Sequence, residues 1–183
     1  MNILFTLNDA FVSQVATCMC SIFENNKSAE NITVYLIGER ISQENQNKLK
    51  GFAKSYDRKV CIISINNIAD YIDFDFDTNG WSSIILARLF LDKLLPQEVD
   101  RILYLDGDTL VLEDIGSLFY SDLGDKVIGM CPEPTVDKSR KEFLALKEYP
   151  YHNSGVLLID LKKWRREEIG KKVIEFYQFH EGK

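Results

Sequence analysis

The sequence lacks an excess of basic residues. Its 183 residues include 22 lysines and arginines against 28 aspartates and glutamates, which gives a formal net charge of −6. Such a chain has no overall electrostatic attraction for nucleic acid, so nucleic-acid binding is not expected. An anionic ligand must instead be held by a local cation or by backbone N–H groups. A bound divalent metal ion is therefore an early candidate.

A secretory signal, a long apolar run and paired cysteines are missing as well. Residues 1–9 have neither the basic start nor the apolar core of a signal peptide, and the least charged early stretch, residues 10–23, is too short to cross a bilayer. The four cysteines show no CxxC spacing, which predicts reduced, mostly buried thiols. We therefore expect a cytoplasmic protein without a transmembrane segment, at most peripheral at the inner face of the membrane.

Apolar spacing predicts strands that alternate with helices in one domain. The predicted strands cover residues 2–7, 31–37, 59–65, 101–112, 127–130 and 155–159. The predicted helices cover residues 10–23, 42–52, 83–95 and 164–179. Residues 66–80, rich in aspartate and aromatics, are predicted to form an irregular loop. This order favours an α/β fold with a mainly parallel sheet flanked by helices, and such folds bind ligands beyond the carboxyl ends of the strands.

Two aspartates interrupt the most hydrophobic predicted strand. Asp106 and Asp108 flank Gly107 directly after the apolar run of residues 102–105. Two carboxylates so close on a turn can both face a hard divalent cation, and the glycine lets the backbone approach a ligand. Such a cation could neutralise a pyrophosphate. The alternative is a β-hairpin, because Asp-Gly between apolar runs is a strong hairpin signal.

Three other site types also compete for the acidic residues. Aspartate-nucleophile phosphatases of the haloacid dehalogenase type follow a hydrophobic strand with Asp-x-Asp-x-Thr, whereas Leu110 stands here at the threonine position. A calcium loop needs glycine at its sixth position and glutamate at its twelfth, and counting from Asp106 or from Asp73 finds neither. Asp73, Asp75 and Asp77 are better explained as a solvated loop face. No GxGxxG follows the first strand, which disfavours a dinucleotide site.

Four segments of the chain share the order and residues of one enzyme family. They are TLNDAF at 6–11, ARLFLDKLLP at 87–96, LYLDGDTLV at 103–111 and YHNSGVLLIDLKKWR at 151–165. Together they resemble glycosyltransferase family 8, the retaining sugar transferases with a DxD motif. The resemblance implies a Rossmann-like, nucleotide-sugar-binding GT-A domain over residues 1–183. The family's Asp-Gln-Asp and HxxGxxKPW segments do not occur, which implies a catalytic domain incomplete at its carboxyl end.

The resemblance also implies how a UDP-sugar donor would be held. Mn²⁺ or Mg²⁺ would bridge Asp106, Asp108 and the pyrophosphate, close to Gly107. The uracil would be held by Thr6, Leu7 and Asn8, with Phe11 lying against it. The family's usual tyrosine at this last position is replaced by Phe11, and its common asparagine by Ala10, which removes two polar contacts.

On the sugar side, the resemblance implies that Arg88 reaches the nucleotide or the donor sugar. The transferred sugar would be contacted by Asn153, Ser154 and Gly155. Simpler interpretations stay open: Asn8 as a helix cap, Arg88 as one half of a surface ion pair, and residues 153–155 as a turn before a strand. His152 is expected to be a strand-end side chain near the sugar pocket, and His180 is rejected as the family's histidine ligand.

The function predicted from these residues is transfer of a hexose from a UDP-sugar to a carbohydrate or glycolipid acceptor, such as a glycan or lipopolysaccharide. The resemblance implies retention at the anomeric carbon, with the acceptor hydroxyl attacking from the leaving-group side and no protein nucleophile. A binding-only fragment of the same fold and, less favoured, the phosphatase are the alternatives.

Overall fold

Six strands form one sheet in a computed structural model that describes residues 1–72, 82–144, 146 and 148–179. The strands are β1 (Asn2–Asn8), β2 (Thr33–Glu39), β3 (Lys59–Ile65), β4 (Arg101–Leu105), β5 (Ile128–Pro132) and β6 (His152–Asp160). Their order is β3-β2-β1-β4-β6-β5. Neighbours from β3 to β4 pair in parallel, whereas β6 runs antiparallel to both β4 and β5. The expectation of a mainly parallel sheet is confirmed, with β6 as the reversed strand.

Helices cover both faces of this sheet. The described α-helices are α1 (Val12–Asn25), α2 (Gln43–Ser55), α3 (Leu91–Leu94), α4 (Gly116–Phe119), α5 (Lys138–Phe143), α6 (Leu161–Arg166) and α7 (Ile169–Phe179). Segments of 3₁₀ helix occupy Asp9–Phe11, Ile68–Tyr71 and Ser83–Phe90. None of the helices in the described ranges has the length and apolar character to cross a bilayer.

The two central strands are buried on both faces. Along β4, Leu103 and Leu105 join the core beneath α1 and α2, whereas Ile102 and Tyr104 join the opposite core. This alternation follows from the two-residue period of a strand, and burial on both sides is typical of central parallel strands. Tyr104 therefore points to the face that carries the 3₁₀ helix Ser83–Phe90.

The predicted strand over residues 101–112 is too long, because β4 ends at Leu105. The backbone N–H and the hydroxyl of Thr109 both donate to the carbonyl oxygen of Asp106, which closes a turn. The backbone N–H of Val111 then donates to Ser21 in α1 instead of to a neighbouring strand. The β-hairpin alternative is wrong as well, since the partners of β4 are β1 and β6.

Two predicted helices are divided in the structure. The helix expected over residues 83–95 is a 3₁₀ helix up to Phe90 and an α-helix only from Leu91 to Leu94. The closing helix is interrupted between α6 and α7, where Glu168 has a positive φ of 51°. Gly170 then packs α7 so tightly against the 3₁₀ helix that a β-carbon there would clash with the carbonyl oxygen of Leu89.

Two further expectations need correction. The loop predicted over residues 66–80 contains the 3₁₀ turn Ile68–Tyr71, capped by Asn67, while the three aspartates expected on its solvated face, and His180, lie outside the described residues. The cysteines are free, as expected, but they are not mostly buried. Of the four, only Cys18 is buried, whereas Cys20 is half-buried and Cys61 and Cys131 are exposed.

Candidate functional site

A cavity of about 540 Å³ lies at the carboxyl ends of β1 and β4. Its wall contains these predicted site residues: Thr6, Leu7, Asn8, Phe11, Arg88, Asp106, Gly107, Asp108 and Ser154. Four lining residues were not predicted: Ser82, Ile84, Ile85 and Tyr104. Two predicted residues, Asn153 and Gly155, are not part of the cavity wall. They flank Ser154 in β6.

Two side chains at the end of β1, those of Asn8 and Asp9, accept hydrogen bonds that hold the turn after the strand. Asn8 Oδ1 accepts a 3.1 Å hydrogen bond from the backbone N–H of Ala10, so the helix-cap interpretation of Asn8 is confirmed. The next residue, Asp9, accepts hydrogen bonds from Ser42 and from the Asn45 amide at the start of α2. The Asn45 bond, followed by the Ser42 backbone bond, lowers the pKa of Asp9. These contacts fix the turn that presents Phe11, 45% exposed, to the cavity.

Beneath the two acidic residues lies a buried tyrosine. Tyr104 is 2% exposed, and its hydroxyl donates a 2.6 Å hydrogen bond to Asp106 Oδ1. Burial raises the pKa of Tyr104 to about 12, although the nearby Arg88 opposes the shift and the bond to Asp106 adds to it. The phenol therefore keeps its proton at neutral pH and acts as a donor to the carboxylate. Its oxygen also lies 3.3 Å from the Thr6 hydroxyl.

Arg88 bridges the 3₁₀ helix and the start of β6. Its Nε donates to the carbonyl of Ile85 at 3.0 Å, and its Nη1 donates to the carbonyl of Ser154 at 2.8 Å. The guanidinium carbon lies 4.8 Å from the centre of the Tyr104 ring. Among the ion pairs of the described residues, none involves Arg88. The surface ion-pair alternative finds no support in the described part of the chain, where the arginine is held at the cavity wall by backbone carbonyls and an aromatic face.

Residues 153–155 are part of a strand, so the turn interpretation is wrong. Asn153 Oδ1 accepts a hydrogen bond from the backbone N–H of Gly155 at 2.7 Å, and the carbonyl of Gly155 accepts one from the backbone N–H of Asp106 at 2.8 Å. The second bond attaches the acidic turn to β6. His152 begins the strand opposite Pro132, which agrees with a strand-end position.

The donor atoms at the acidic turn suit a hard cation. Asp106 and Asp108 both line the cavity, and carboxylate oxygens are the ligands that Mg²⁺ and Mn²⁺ prefer. Within the described ranges, no cluster of three or more His, Cys, Asp or Glu side chains could enclose a metal ion. The described residues therefore offer two carboxylates at the turn but no complete metal site of their own.

Sequence reasoning missed Tyr104 because a tyrosine inside an apolar strand looks like an ordinary core residue. A usable signal was nevertheless present. Tyr104 precedes Asp106 by two residues, and side chains two residues apart in an extended strand point to the same side. A buried tyrosine hydroxyl also needs a hydrogen-bond partner, and Asp106 was the nearest candidate in the sequence.

Comparison with known proteins identifies the family. The sequence profile of Glycosyl transferase family 8 matches residues 2–183. A putative glycosyltransferase from Haemophilus influenzae is 28% identical over 179 residues, which cover 96% of this chain and 53% of the relative. The lipopolysaccharide 1,2-glucosyltransferase of Escherichia coli K12 is also 28% identical, over 95% of this chain and 52% of its own length. The chain thus spans about half the length of these curated relatives.

Solved structures agree with this assignment. The galactosyltransferase LgtC in complex with donor and acceptor sugar analogs superposes with a TM-score of 0.83 and 29% identity. The match covers 98% of this chain and 65% of LgtC, and it confirms the GT-A type of fold. The chain belongs to glycosyl transferase family 8.

Proposed function

We propose that this chain is the donor-binding part of a retaining glycosyltransferase that transfers a hexose from a UDP-sugar to a carbohydrate or glycolipid acceptor. The observation that carries the proposal is one cavity that unites Phe11, Arg88, Asp106, Asp108 and Ser154. Family membership supports it, as do the names of the relatives, which include a lipopolysaccharide glucosyltransferase and a galactosyltransferase bound to donor and acceptor sugar analogs.

The base would lie at the β1 end of the cavity. Phe11 offers an aromatic face, and base–aromatic stacking is worth about 1–3 kcal/mol. The neighbouring polar and backbone groups of Thr6, Leu7 and Asn8 would meet the edge of the uracil. Because the side chain of Asn8 already caps the turn through Ala10, its second role would use the remaining amide N–H groups.

The diphosphate requires a cation because of the charge balance in the cavity. The side chains described in the wall contribute two carboxylates, Asp106 and Asp108, but only one cationic group, Arg88. A nucleoside diphosphate would add further negative charge. Mn²⁺ or Mg²⁺ held by the two aspartates would supply Lewis-acid stabilisation of the leaving diphosphate. Gly107 would let the backbone approach this charged group.

The sugar would lie against Arg88 and Ser154, which meet at the start of β6. The guanidinium retains donors beyond those used on Ile85 and Ser154, because the group carries five N–H bonds. Ser154 lines the cavity, and its neighbours Asn153 and Gly155 lie beside it in β6, where Gly155 packs against the Asp106 carboxylate. An acceptor hydroxyl would attack from the leaving-group side, which retains the anomeric configuration. This route assigns no nucleophile to the protein.

The test is a calorimetric titration of UDP into the chain, with Mn²⁺ and separately with EDTA. We expect binding that depends on Mn²⁺, and we expect Asp108→Asn to abolish the Mn²⁺-dependent part while far-UV circular dichroism stays unchanged. Asp92→Asn is the matched control, because Asp92 lines a different cavity. Unchanged Mn²⁺-dependent affinity in Asp108→Asn would contradict the proposal.

Turnover separates the remaining alternatives. Hydrolysis of a UDP-sugar by the chain would support an enzyme, whereas UDP binding without turnover would support the binding-only interpretation. Release of phosphate from a generic phosphate ester, lost in Asp106→Asn, would instead favour the phosphatase and contradict the proposal.

A further inference from the structure

Tyr104 contacts three side chains that the proposed function assigns to the donor site. Its hydroxyl donates to Asp106 Oδ1 at 2.6 Å and lies 3.3 Å from the Thr6 hydroxyl. Its ring lies below the Arg88 guanidinium, with 4.8 Å between the guanidinium carbon and the ring centre. One buried side chain thus connects an anionic and a cationic group of the same cavity.

The hydroxyl restricts the rotation of the Asp106 carboxylate. At 2.6 Å, the bond has the length of a charge-assisted O–H···O⁻ hydrogen bond, which is stronger than a neutral one. The tyrosine itself cannot move, because it is packed in the core with Leu4, Phe90 and Leu157. The phenol oxygen is therefore a fixed point, and it leaves Oδ2 and the outer lone pairs of Oδ1 for a ligand.

The ring restricts Arg88 in a different way. The negative face of an aromatic ring attracts a guanidinium and keeps it in position over the ring. Since Nε and Nη1 are already bound to the carbonyls of Ile85 and Ser154, the ring removes the remaining freedom of the group. Arg88 and Asp106 thus both contact Tyr104, the first at the ring face and the second at the hydroxyl.

We propose that Tyr104 is a positioning residue for the donor site: its hydroxyl orients Asp106 toward the metal–diphosphate, and its ring holds Arg88. The inference rests on the proposed function, because it needs Asp106 to meet a cation. If the tyrosine were purely structural, loss of its hydroxyl would weaken UDP binding with and without metal alike. A positioning tyrosine affects the metal-dependent part of binding.

Tyr104→Phe tests this distinction, because phenylalanine keeps the ring and its packing and removes only the hydroxyl. We expect the Kd for UDP in Mn²⁺ to rise at least about tenfold, the size expected for losing a hydrogen bond to a charged group, while the Kd in EDTA stays unchanged. Tyr35→Phe is the matched control. Tyr35 is also a buried tyrosine, 8% exposed, but it lies in β2 away from the cavity.

Electron paramagnetic resonance of Mn²⁺ at saturating UDP gives a second readout. A reoriented carboxylate is expected to change the Mn²⁺ spectrum of Tyr104→Phe, whereas Tyr35→Phe is expected to reproduce the wild-type spectrum. Circular dichroism and urea unfolding verify that both variants are folded.

The outcomes separate the two proposals. If wild-type protein binds UDP with Mn²⁺ and Tyr104→Phe binds equally well with the same spectrum, the positioning role is overturned and the proposed function stands. Equal losses in Mn²⁺ and in EDTA also overturn it, since they indicate a structural role. If folded wild-type protein shows no Mn²⁺-dependent binding, the proposed function fails and the positioning role fails with it.

Discussion

Gly155 lies directly against the carboxylate of Asp106. A β-carbon at position 155 would be 2.8 Å from Asp106 Oδ2, closer than real side chains tolerate, and 3.0 Å from the side-chain oxygen of Asn153. The backbone also joins the two residues, because the N–H of Asp106 donates to the carbonyl of Gly155. The acidic side chain can therefore keep its position only while residue 155 has no side chain.

We expect Gly155→Ala to weaken Mn²⁺-dependent UDP binding by about tenfold or more, the effect of displacing one charged hydrogen-bonding group. The added methyl group would displace the Asp106 carboxylate, which accepts the hydrogen bond from Tyr104. Titration calorimetry in Mn²⁺ and in EDTA measures the effect. The control is Gly51→Ala in α2, where a β-carbon has open space within 4 Å. That helix substitution is expected to preserve binding and to stabilise the fold by about 0.5–1 kcal/mol. Equal UDP affinities in all three proteins would contradict the prediction.

Phe11 is expected to contribute to UDP affinity without any dependence on metal. It lines the same cavity as the acidic pair and offers an exposed ring for the base. Phe11→Ala should weaken UDP binding about 5- to 150-fold, in Mn²⁺ and in EDTA alike, because stacking on a base contributes about 1–3 kcal/mol. Phe143→Ala, which removes another exposed ring in α5, is the control. A loss confined to the Mn²⁺ titration would show that Phe11 does not stack on the base.

Local signals were sufficient for the amino-terminal half of the site. A short apolar run that ends at Asn8 located β1, and the Asn8 cap was predictable because asparagine side chains bond the backbone two residues ahead. Helical spacing after residue 10 located α1. The polar side chains at the end of β1 therefore had to face the carboxyl end of the sheet, where the cavity lies.

Long-range pairing decided what the sequence could not reveal. β4 ends at Leu105 because the chain turns at Asp106 and the backbone N–H of Val111 then bonds to Ser21 in α1, a contact between residues far apart in the chain. The reversed direction of β6, and with it the strand conformation of Asn153, depends on its antiparallel pairing with β4 and β5. Apolar periodicity in the sequence shows neither where β4 ends nor which way β6 runs, because a strand buried on both faces carries no alternating pattern.

Arg165 is expected to stabilise the link between α6 and the segment before β4. Its guanidinium donates to four backbone carbonyls, those of Leu95, Pro96, Gln97 and Val99. Arg165→Met leaves these acceptors without their charged donor, so we expect a loss of about 2–3 kcal/mol in the free energy of unfolding. Urea denaturation at pH 7 provides the measurement.

The neighbouring residue supplies a matched control for Arg165. Arg166 pairs with Glu167 at the surface, where its side chain is 69% exposed. Exposed ion pairs contribute about 0–1 kcal/mol, so Arg166→Met should change stability little. Equal losses in the two variants would contradict a specific role for Arg165.

Asp9 is expected to make stability depend on pH in the acidic range. The hydrogen bonds from Asn45 and Ser42 lower its pKa in the folded protein below that of the unfolded chain. Its contribution to the free energy of unfolding is therefore fully present above the unfolded pKa of about 4 and is lost as the pH falls through the lower folded pKa. The difference in free energy of unfolding between wild type and Asp9→Asn should be constant from pH 7 to about pH 5 and should shrink below about pH 4.

Urea denaturation of both proteins at a series of pH values tests this expectation, and salt identifies the cause. Hydrogen bonds shift the pKa of Asp9 more than the charge of Lys48 does. Raising the ionic strength to about 1 M screens the lysine but not the direct hydrogen bonds, so most of the difference at neutral pH should persist. A difference that vanishes in salt would assign the effect to Lys48, and one that grows as the pH falls would contradict the lowered pKa.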